Sequence, residues 1–252
     1  MADHTAASPA LVFDEAGTGR PVLVLHGGSG PATVASISAH VAERARVVTP
    51  TLPGWNGAER PDRLATAADY ADALLDHLRD ARLSGVVIIG SSLGGWIGAE
   101  MAARDRHGLI AGLVLVDAAG IEVEGEPITD FFALDPRGVA EHSFHDPDKF
   151  FIDPMTVPTE QAEMRRLNMA TMAAVFRDMH DPALRARLGN VTIPVLAIWG
   201  DSDRIFTPGY GRAYAASFAN GRFALVADAG HLPQIEQPGA TLGLIDDFLA
   251  QS

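Results

Sequence analysis

Residues 86–95, Val-Val-Ile-Ile-Gly-Ser-Ser-Leu-Gly-Gly, constrain the fold more than any other part of the chain. Four β-branched residues in succession predict a strand that is buried on both faces. Gly90 to Gly94 then matches G-x-S-x-G, and residues 93–103 have the composition of a helix. Glycine has no Cβ atom, so the strand and the helix can approach closely and leave Ser92 at the turn between them. A strand-to-helix turn of small residues with no catalytic role could have the same five residues. The rest of the sequence is needed to distinguish this alternative from a catalytic serine.

Short apolar runs alternate with helical patterns along most of the sequence. Six further strands are predicted at 10–13, 21–25, 46–49, 112–116, 194–199 and 223–226. Amphipathic or apolar helices are predicted at 32–44, 66–82, 208–218 and 240–250. This alternation predicts an α/β fold, with a mostly parallel central sheet and helices on both faces.

Several polar residues directly follow predicted strands. They are His26, Ser92, Asp117, Asp203 and His231. The carboxyl ends of parallel strands meet at one edge of a sheet, so we expect these side chains to converge there. A serine hydroxyl needs a base to remove its proton, and the base needs a partner that holds its tautomer.

The spacing of these motifs resembles that of the α/β-hydrolase family. Ser92 occupies the position of the family's nucleophile, and residues 200–208 fit its G-x-x-D-x-x-x-P pattern with Asp203 as the acid. Gly230-His231, followed by the acidic-Gln-Pro stretch at 236–238, fits the site of the base. The resemblance implies a triad of Ser92, Asp203 and His231, in the family's chain order. Asp117 is a rival acid, because some members carry the acid after the strand that follows the nucleophile, and Asp201 is a second rival in the same loop as Asp203.

The resemblance also implies two backbone N–H donors for a negatively charged oxygen. One is the N–H of Leu93, the residue after the nucleophile, and the other is that of Gly28 in the His26-Gly27-Gly28 turn. A plain turn is the alternative reading of this glycine-rich segment. His26 itself is predicted to form structural hydrogen bonds rather than to act as a base.

Residues 120–189 interrupt the alternation and resemble the helical cap of many family members. We expect a core of residues 1–119 and 190–252 with this cap inserted, and residues 160–178 are expected to form one helix of the cap. The insert contains five of the seven methionines and six of the eleven phenylalanines. They could form an adaptable apolar ceiling over a hydrophobic substrate, or simply the small core of the cap itself. Trp55, Trp96 and Phe206 are further candidates for the pocket wall.

Composition narrows the possible partners. The net charge of −13 disfavours nucleic acid and anionic membranes, and a chain without cysteine has no disulfide or thiolate metal site. The first nine residues lack the pattern of a signal peptide, and a cytoplasmic location is expected. No cofactor or metal is expected. His142, His145, Asp146 and Asp148 match no strong metal-binding spacing. The oligomeric state stays open.

These observations predict a serine hydrolase that cleaves a carboxylic ester with a hydrophobic part through an acyl-enzyme. The alternative is a carbon–carbon bond hydrolase of vinylogous diketones, because residues 26–31 are similar to the stretch that such enzymes carry. Those enzymes usually have Asn where this chain has Ser91. A ligand-binding protein that keeps the fold without turnover is a third hypothesis. Relatives that cleave epoxides or haloalkanes have Asp in place of Ser92 and are disfavoured.

Overall fold

The computed structural model describes residues 11–251, and these form one seven-stranded sheet with helices on both faces. The strands are β1 (Val12–Ala16), β2 (Pro21–Leu25), β3 (Arg46–Thr51), β4 (Val86–Ser91), β5 (Ile110–Val116), β6 (Val195–Gly200) and β7 (Gly221–Val226). Their order is β1-β3-β2-β4-β5-β6-β7, and only β1 runs antiparallel to its neighbour. The predicted fold class is therefore confirmed.

Ten α-helices accompany the sheet within the described residues. They are α1 (Ala35–Ala42), α2 (Ala67–Asp80), α3 (Leu93–Arg104), α4 (Pro136–Ser143), α5 (Pro147–Phe150), α6 (Thr159–Val175), α7 (Leu184–Leu188), α8 (Pro208–Ala216), α9 (Pro233–Glu236) and α10 (Pro238–Gln251). Three short 3₁₀ helices lie at Pro31–Val34, Phe131–Ala133 and Pro154–Thr156. None of the helices within residues 11–251 is both long enough and apolar enough to cross a bilayer.

The side chains of β4 explain why the sheet is covered on both sides. Val86 and Ile88 belong to the apolar cluster that includes α2, α3 and α8, whereas Val87 and Ile89 belong to the cluster that includes α1 and α10. Successive side chains of a strand point to opposite faces, so a continuous apolar run needs both layers.

Several element boundaries differ from the predictions. The first strand covers Val12–Ala16 instead of 10–13, and residue 10 lies outside the described residues. Its polar residues Asp14 and Glu15 are held by pairing with β3, which a hydrophobic pattern does not reveal. The predicted helix at 32–44 begins as a 3₁₀ turn and becomes α1 at Ala35. The helix expected at 160–178 is α6, which ends at Val175.

The junction between β4 and α3 is packed too tightly for any side chain at its glycines. A Cβ atom on Gly90 would lie 2.3 Å from the carbonyl oxygen of Gly94, and one on Gly94 would lie 2.3 Å from that of Leu25. These are backbone atoms and cannot rotate away. The strand and helix therefore meet at a distance that only glycine permits.

We predict opposite effects for two glycine-to-alanine changes in helices. Gly94→Ala should lower the free energy of unfolding by about 2–3 kcal/mol, because the new methyl group overlaps the backbone of β2. Gly243→Ala, in α10 with no atom within 4 Å of the new methyl group, should raise it by about 0.5–1 kcal/mol. Urea denaturation measures both. An unchanged free energy of unfolding in Gly94→Ala would contradict the tight packing of this junction.

Candidate active site

Ser92 sits at the junction of β4 and α3 in a strained backbone conformation. Its φ is 52° and its ψ is −115°, a region that residues with side chains rarely adopt. The Ser92 N–H donates to the carbonyl of Val116 at 2.9 Å, and the Ser92 carbonyl accepts from the Gly95 N–H at 3.0 Å. The surrounding sheet and helix thus hold this conformation in place.

An unbroken series of hydrogen bonds connects Ser92, His231 and Asp203. The Ser92 Oγ lies 3.0 Å from Nε2 of His231, and Nδ1 of the same ring lies 2.9 Å from Oδ2 of Asp203. A carboxylate only accepts, so Nδ1 carries the proton and Nε2 is free to accept from the serine hydroxyl. All three residues are less than one-tenth exposed. The structure therefore brings together these three side chains, although Ser92 and His231 are 139 residues apart along the chain.

Asp203 is held by its own turn. Its Oδ1 accepts hydrogen bonds from the N–H groups of Ile205 at 2.8 Å and Phe206 at 3.2 Å. Together with the bond from His231, this carboxyl accepts three hydrogen bonds.

The two rival acids occupy different environments. Asp201 is exposed, and its carboxyl accepts from the hydroxyl of Ser202 at 2.8 Å. Asp117 is fully buried behind the triad, and its Oδ1 accepts from the Gly200 N–H at 3.0 Å. Burial, and next the charge of Asp203, raises the pKa of the Asp117 carboxyl well above its ordinary range. Of the three acids, Asp203 makes the hydrogen bond to the imidazole.

His26 forms structural hydrogen bonds, as predicted. The Leu52 N–H donates to its Nε2 at 3.1 Å, so the proton is on Nδ1, which donates to the carbonyl of Gly27 at 2.8 Å. In a trans peptide the carbonyl and the next N–H point in opposite directions. Fixing the Gly27 carbonyl therefore also fixes the direction of the Gly28 N–H.

The glycine turn, formed by His26, Gly27 and Gly28, packs directly against Ser92. A Cβ atom on Gly27 would lie 3.2 Å from Cβ of Ser92. The carbonyl of Gly28 accepts from the indole N–H of Trp55 at 2.7 Å. The N–H of Leu93 belongs to the first residue of α3, where helices have no internal partner for their N–H groups. Both predicted N–H donors thus come from segments adjacent to Ser92.

The predicted pocket-wall residues are largely enclosed. Trp55 and Phe206 have no exposed surface, and Trp96 is 5% exposed. The Phe206 ring centroid is 5.5 Å from that of His231, whereas Trp55 and Trp96 both pack against Phe176. Their role in a pocket stays a prediction.

Helix α6 brings a methionine that sequence reasoning did not single out. A Cβ atom on Gly28 would lie 3.0 Å from the Sδ of Met172, so the thioether rests on the glycine turn. The hydroxyl of Thr171 donates to the carbonyl of Gly54 at 2.8 Å, and the Asn56 N–H donates to Oδ1 of Asn168 at 2.8 Å. The enrichment in methionine was visible in the sequence, but not which methionine reaches the turn.

The segment around α4 is attached to the loop of His231. The His231 N–H donates to the carbonyl of Ser143 at 2.7 Å. Glu236 accepts from the His145 N–H at 2.9 Å with Oε1, and from the Gly230 N–H at 2.5 Å with Oε2. The sequence pattern marked Glu236 as part of a motif, and the structure reveals what its carboxyl holds.

The acidic and histidine-rich cluster at 142–148 makes separate local contacts. Nδ1 of His142 forms a hydrogen bond with the carbonyl of Gly138, and Nδ1 of His145 forms one with Oγ of Ser202. Asp146 caps α5, and Asp148 pairs with Arg137. Within residues 11–251, the group of three acidic or histidine side chains close enough to share an ion is Asp117, Asp203 and His231. Within this group, Nδ1 of His231 and Oδ2 of Asp203 form a hydrogen bond with each other.

Comparison with known proteins identifies the family. A model of the alpha/beta hydrolase family matches residues 22–243. The chain belongs to the alpha/beta hydrolase family. It is 30% identical to a pimeloyl-[acyl-carrier protein] methyl ester esterase from Aromatoleum aromaticum, over 91% of this chain and 98% of that protein. It is 27% identical to a 2-hydroxy-6-oxo-2,4-heptadienoate hydrolase from Pseudomonas putida, over 94% and 91% of the two chains.

Solved structures of alpha/beta hydrolases share this architecture. A thermophilic esterase from Thermogutta terrifontis superposes with a TM-score of 0.75 and 24% identity, covering 98% of this chain and 96% of its own. At this identity the likeness concerns the fold.

Titration of His26 should change stability in a defined pH window. Burial lowers its pKa from the ordinary 6.5 to about 4. Between these values the unfolded chain binds a proton that the folded chain does not. The contribution of neutral His26 to the free energy of unfolding is therefore fully present above about pH 6.5. It amounts to about 3 kcal/mol and is lost as the pH falls to about 4. His26→Asn removes this group. Between about pH 6.5 and about pH 4, the free energy of unfolding of the wild type should therefore fall by about 3 kcal/mol more than that of His26→Asn.

Urea denaturation at about pH 7 and about pH 4.5 measures this difference. His107→Asn is the control, because His107 is exposed. The same pH trend in His107→Asn and His26→Asn would contradict a neutral, buried His26.

Proposed function

We propose that this alpha/beta hydrolase cleaves carboxylic esters through a covalent acyl-enzyme, with Ser92 as nucleophile, His231 as base and Asp203 as acid. The observation that carries the proposal is the hydrogen-bond series from Ser92 Oγ to His231 at 3.0 Å and on to Asp203 at 2.9 Å. His231 contacts the nucleophile through one ring nitrogen and the acid through the other, which is the arrangement that acyl transfer by a serine requires.

In the first half-reaction, His231 Nε2 takes the Ser92 proton while Oγ attacks the carbonyl carbon of the ester. The carbonyl oxygen becomes negatively charged and is stabilised by the N–H groups of Leu93 and Gly28. Each such donor is worth roughly 10²–10³ in rate. The tetrahedral intermediate collapses, the bond to the alcohol breaks, and the leaving oxygen takes the proton from Nε2 of His231.

In the second half-reaction, a water molecule attacks the acyl group on Ser92. His231 again accepts a proton, now from the water, and returns it to Ser92 Oγ as the acid leaves. Asp203 remains a carboxylate throughout and stabilises the imidazolium that forms twice in each cycle. Protonation of His231 in acid removes the base, so the rate should fall as the pH is lowered.

Residues 120–189 act in this proposal as a cap on a core of residues 1–119 and 190–252. Support comes from the contacts of α6 with the glycine turn and from the hydrogen bonds of Ser143 and His145 to the His231 loop. Met172 presents an apolar, adaptable thioether next to the Gly28 donor. The favoured substrate is therefore an ester with a hydrophobic acyl or alcohol part. Trp96 and Phe206 remain candidates for the wall that receives it.

Cleavage of carbon–carbon bonds is the second candidate. It is supported by the 27% identity with the heptadienoate hydrolase and by the similar glycine-rich turn. Against it stands Ser91, whose hydroxyl accepts from the amide of Gln234 at 3.3 Å. Parallel assays with p-nitrophenyl esters of several acyl lengths and with a ring-cleavage dienoate separate the two. Faster turnover of the dienoate would reject the ester assignment.

A fluorophosphonate probe tests the nucleophile itself. The wild type should be labelled, and Ser92→Ala should not, because the probe needs an activated hydroxyl. Ser91→Ala is a matched control, a buried serine one position earlier that should leave labelling intact. Absence of labelling in the wild type would favour a ligand-binding protein without turnover. Labelling that survives in Ser92→Ala would place the nucleophile elsewhere.

Replacement of the acid should affect the rate far more than its exposed neighbour. Asp203→Asn should lower kcat by roughly 10³–10⁴, because the amide favours the wrong tautomer of His231. Asp201→Asn should change kcat by less than about threefold, since its side chain lies at the surface. Steady-state kinetics on a p-nitrophenyl ester measures both. Comparable losses in the two variants would contradict the role of Asp203.

A further inference from the structure

Two buried carboxyl groups lie side by side behind the imidazole. Asp117 follows β5 and Asp203 follows β6, and these strands are neighbours in the sheet. Asp117 is 0% exposed and Asp203 is 2% exposed. A carboxyl oxygen of Asp117, a carboxyl oxygen of Asp203 and a ring nitrogen of His231 all lie within 4.8 Å of one another. The proposed mechanism uses only one of these two acids.

The hydrogen bonds around the two carboxyls are unequal. Asp203 accepts from two backbone N–H groups and from His231. Asp117 accepts from one, the N–H of Gly200, and its Oδ2 has no hydrogen-bond partner among the described residues. An ionised oxygen without donors is far more costly to bury than a protonated one. The negative charge is therefore best placed on Asp203.

The charges that face Asp117 reinforce this asymmetry. Asp203 lies on the turn after β6, and Glu236 acts on Asp117 from α9. Both are acidic. His231, from the loop after β7, is neutral in its resting state in the proposed mechanism. Like charges at this separation in a buried site disfavour a second ionised carboxyl.

We propose that Asp117 is a positioning residue that stays a neutral carboxylic acid beside the ionised Asp203, and that it holds the turn from which Asp203 reaches His231. The kinetic part of this inference rests on the proposed function. The pKa of Asp117, raised first by burial and second by the charge of Asp203, agrees with the neutral form.

The holding role follows from the contacts of Asp117 with the end of β6. Its backbone N–H donates to the carbonyl of Ile198 at 3.0 Å, and its Oδ1 accepts from the N–H of Gly200. Its φ of 45° lies in the left-handed region, so the chain is bent at this point in spite of the strain. Gly200 begins the turn that carries Asp203, and its carbonyl accepts from the Asp203 N–H at 3.4 Å.

Neutrality matters for the base. A second negative charge in this buried site would lie next to both the Asp203 carboxylate and the imidazole. A neutral Asp117 keeps the Gly200 N–H satisfied without adding that charge. The base then responds to one carboxylate, that of Asp203.

The first test measures the proton on Asp117 without reference to activity. A folded chain that keeps this proton loses stability as the pH rises from about 4 towards the raised pKa, because the unfolded chain has released it. Asp117→Asn keeps the acceptor for Gly200 and needs no proton. Its Tm should exceed that of the wild type by an amount that grows by about 5 °C or more between about pH 5 and about pH 8. Since His26 has the opposite trend below about pH 6.5, the difference between variant and wild type is the quantity to compare.

A difference in Tm that is constant with pH, or that shrinks as the pH rises, would overturn the neutral acid. Infrared spectra give an independent reading of the same group. The carbonyl band of a protonated carboxylic acid should be present in the wild type at neutral pH and absent in Asp117→Asn.

The second test reads the positioning role from pH–rate profiles. Asp117→Asn should keep kcat/KM within about threefold and leave the acid limb of the profile in place, because a neutral group replaces a neutral group. Asp117→Leu has no acceptor for the Gly200 N–H and should lower kcat roughly tenfold or more by loosening the Asp203 turn. A clear shift of the acid limb to lower pH in Asp117→Asn would mean that a charge had been removed. Equal rates for Asn and Leu would reject the positioning role.

The two tests fail independently. If the chain does not hydrolyse esters, the pH dependence of Tm and the infrared band still report the protonation of Asp117. If Asp117 is ionised, the esterase rates of Asp203→Asn and of the wild type are unaffected by that result.

Discussion

The conformation of a single residue, Ser92, underlies the arrangement of the whole site. A buried strand passes into a helix through this residue, and its left-handed φ is maintained because β2, β4, β5 and α3 all bond or pack against the junction. Strain of this kind costs on the order of 1–3 kcal/mol and persists only where the surrounding structure determines the backbone completely. The glycines at 90 and 94 allow the two elements to approach closely enough. The serine oxygen then faces the loops that follow the other strands of the sheet.

The polar groups around Ser92 form a layered network inside an apolar interior. His231 contacts the serine, Asp203 contacts His231, and Asp117 lies behind both. Four backbone N–H groups in this region, those of Gly200, Gly230, Ile205 and Phe206, donate to carboxyl oxygens. Low polarity makes each hydrogen bond stronger and each unpaired charge more costly. Such a network therefore tolerates one ionised acid next to the imidazole far better than two.

Segments distant in sequence share the task of holding the site. His26 fixes the peptide that carries the Gly28 N–H, and Trp55 holds the next carbonyl. Helix α6 covers the same turn with Met172, while Ser143 and Glu236 connect the α4 segment to the His231 loop. Residues of α4 and α6 thus contact both the turn that carries the Gly28 N–H and the loop that carries His231.

Local patterns in the sequence determined most of the strands and helices and the candidates Ser92, Asp203, His231 and His26, because apolar runs, glycine turns and motif spacing are properties of short segments. They did not determine how far β1 extends, because its polar residues are held by pairing with β3. They also left Asp117, Asp201 and Asp203 as rivals, since all three are aspartates in short loops after strands. Only the tertiary structure decided which carboxyl bonds the imidazole, which methionine rests on Gly28 and which acid is buried beside another. Those relations depend on distances and burial between segments that are far apart in the chain, and no local pattern records them.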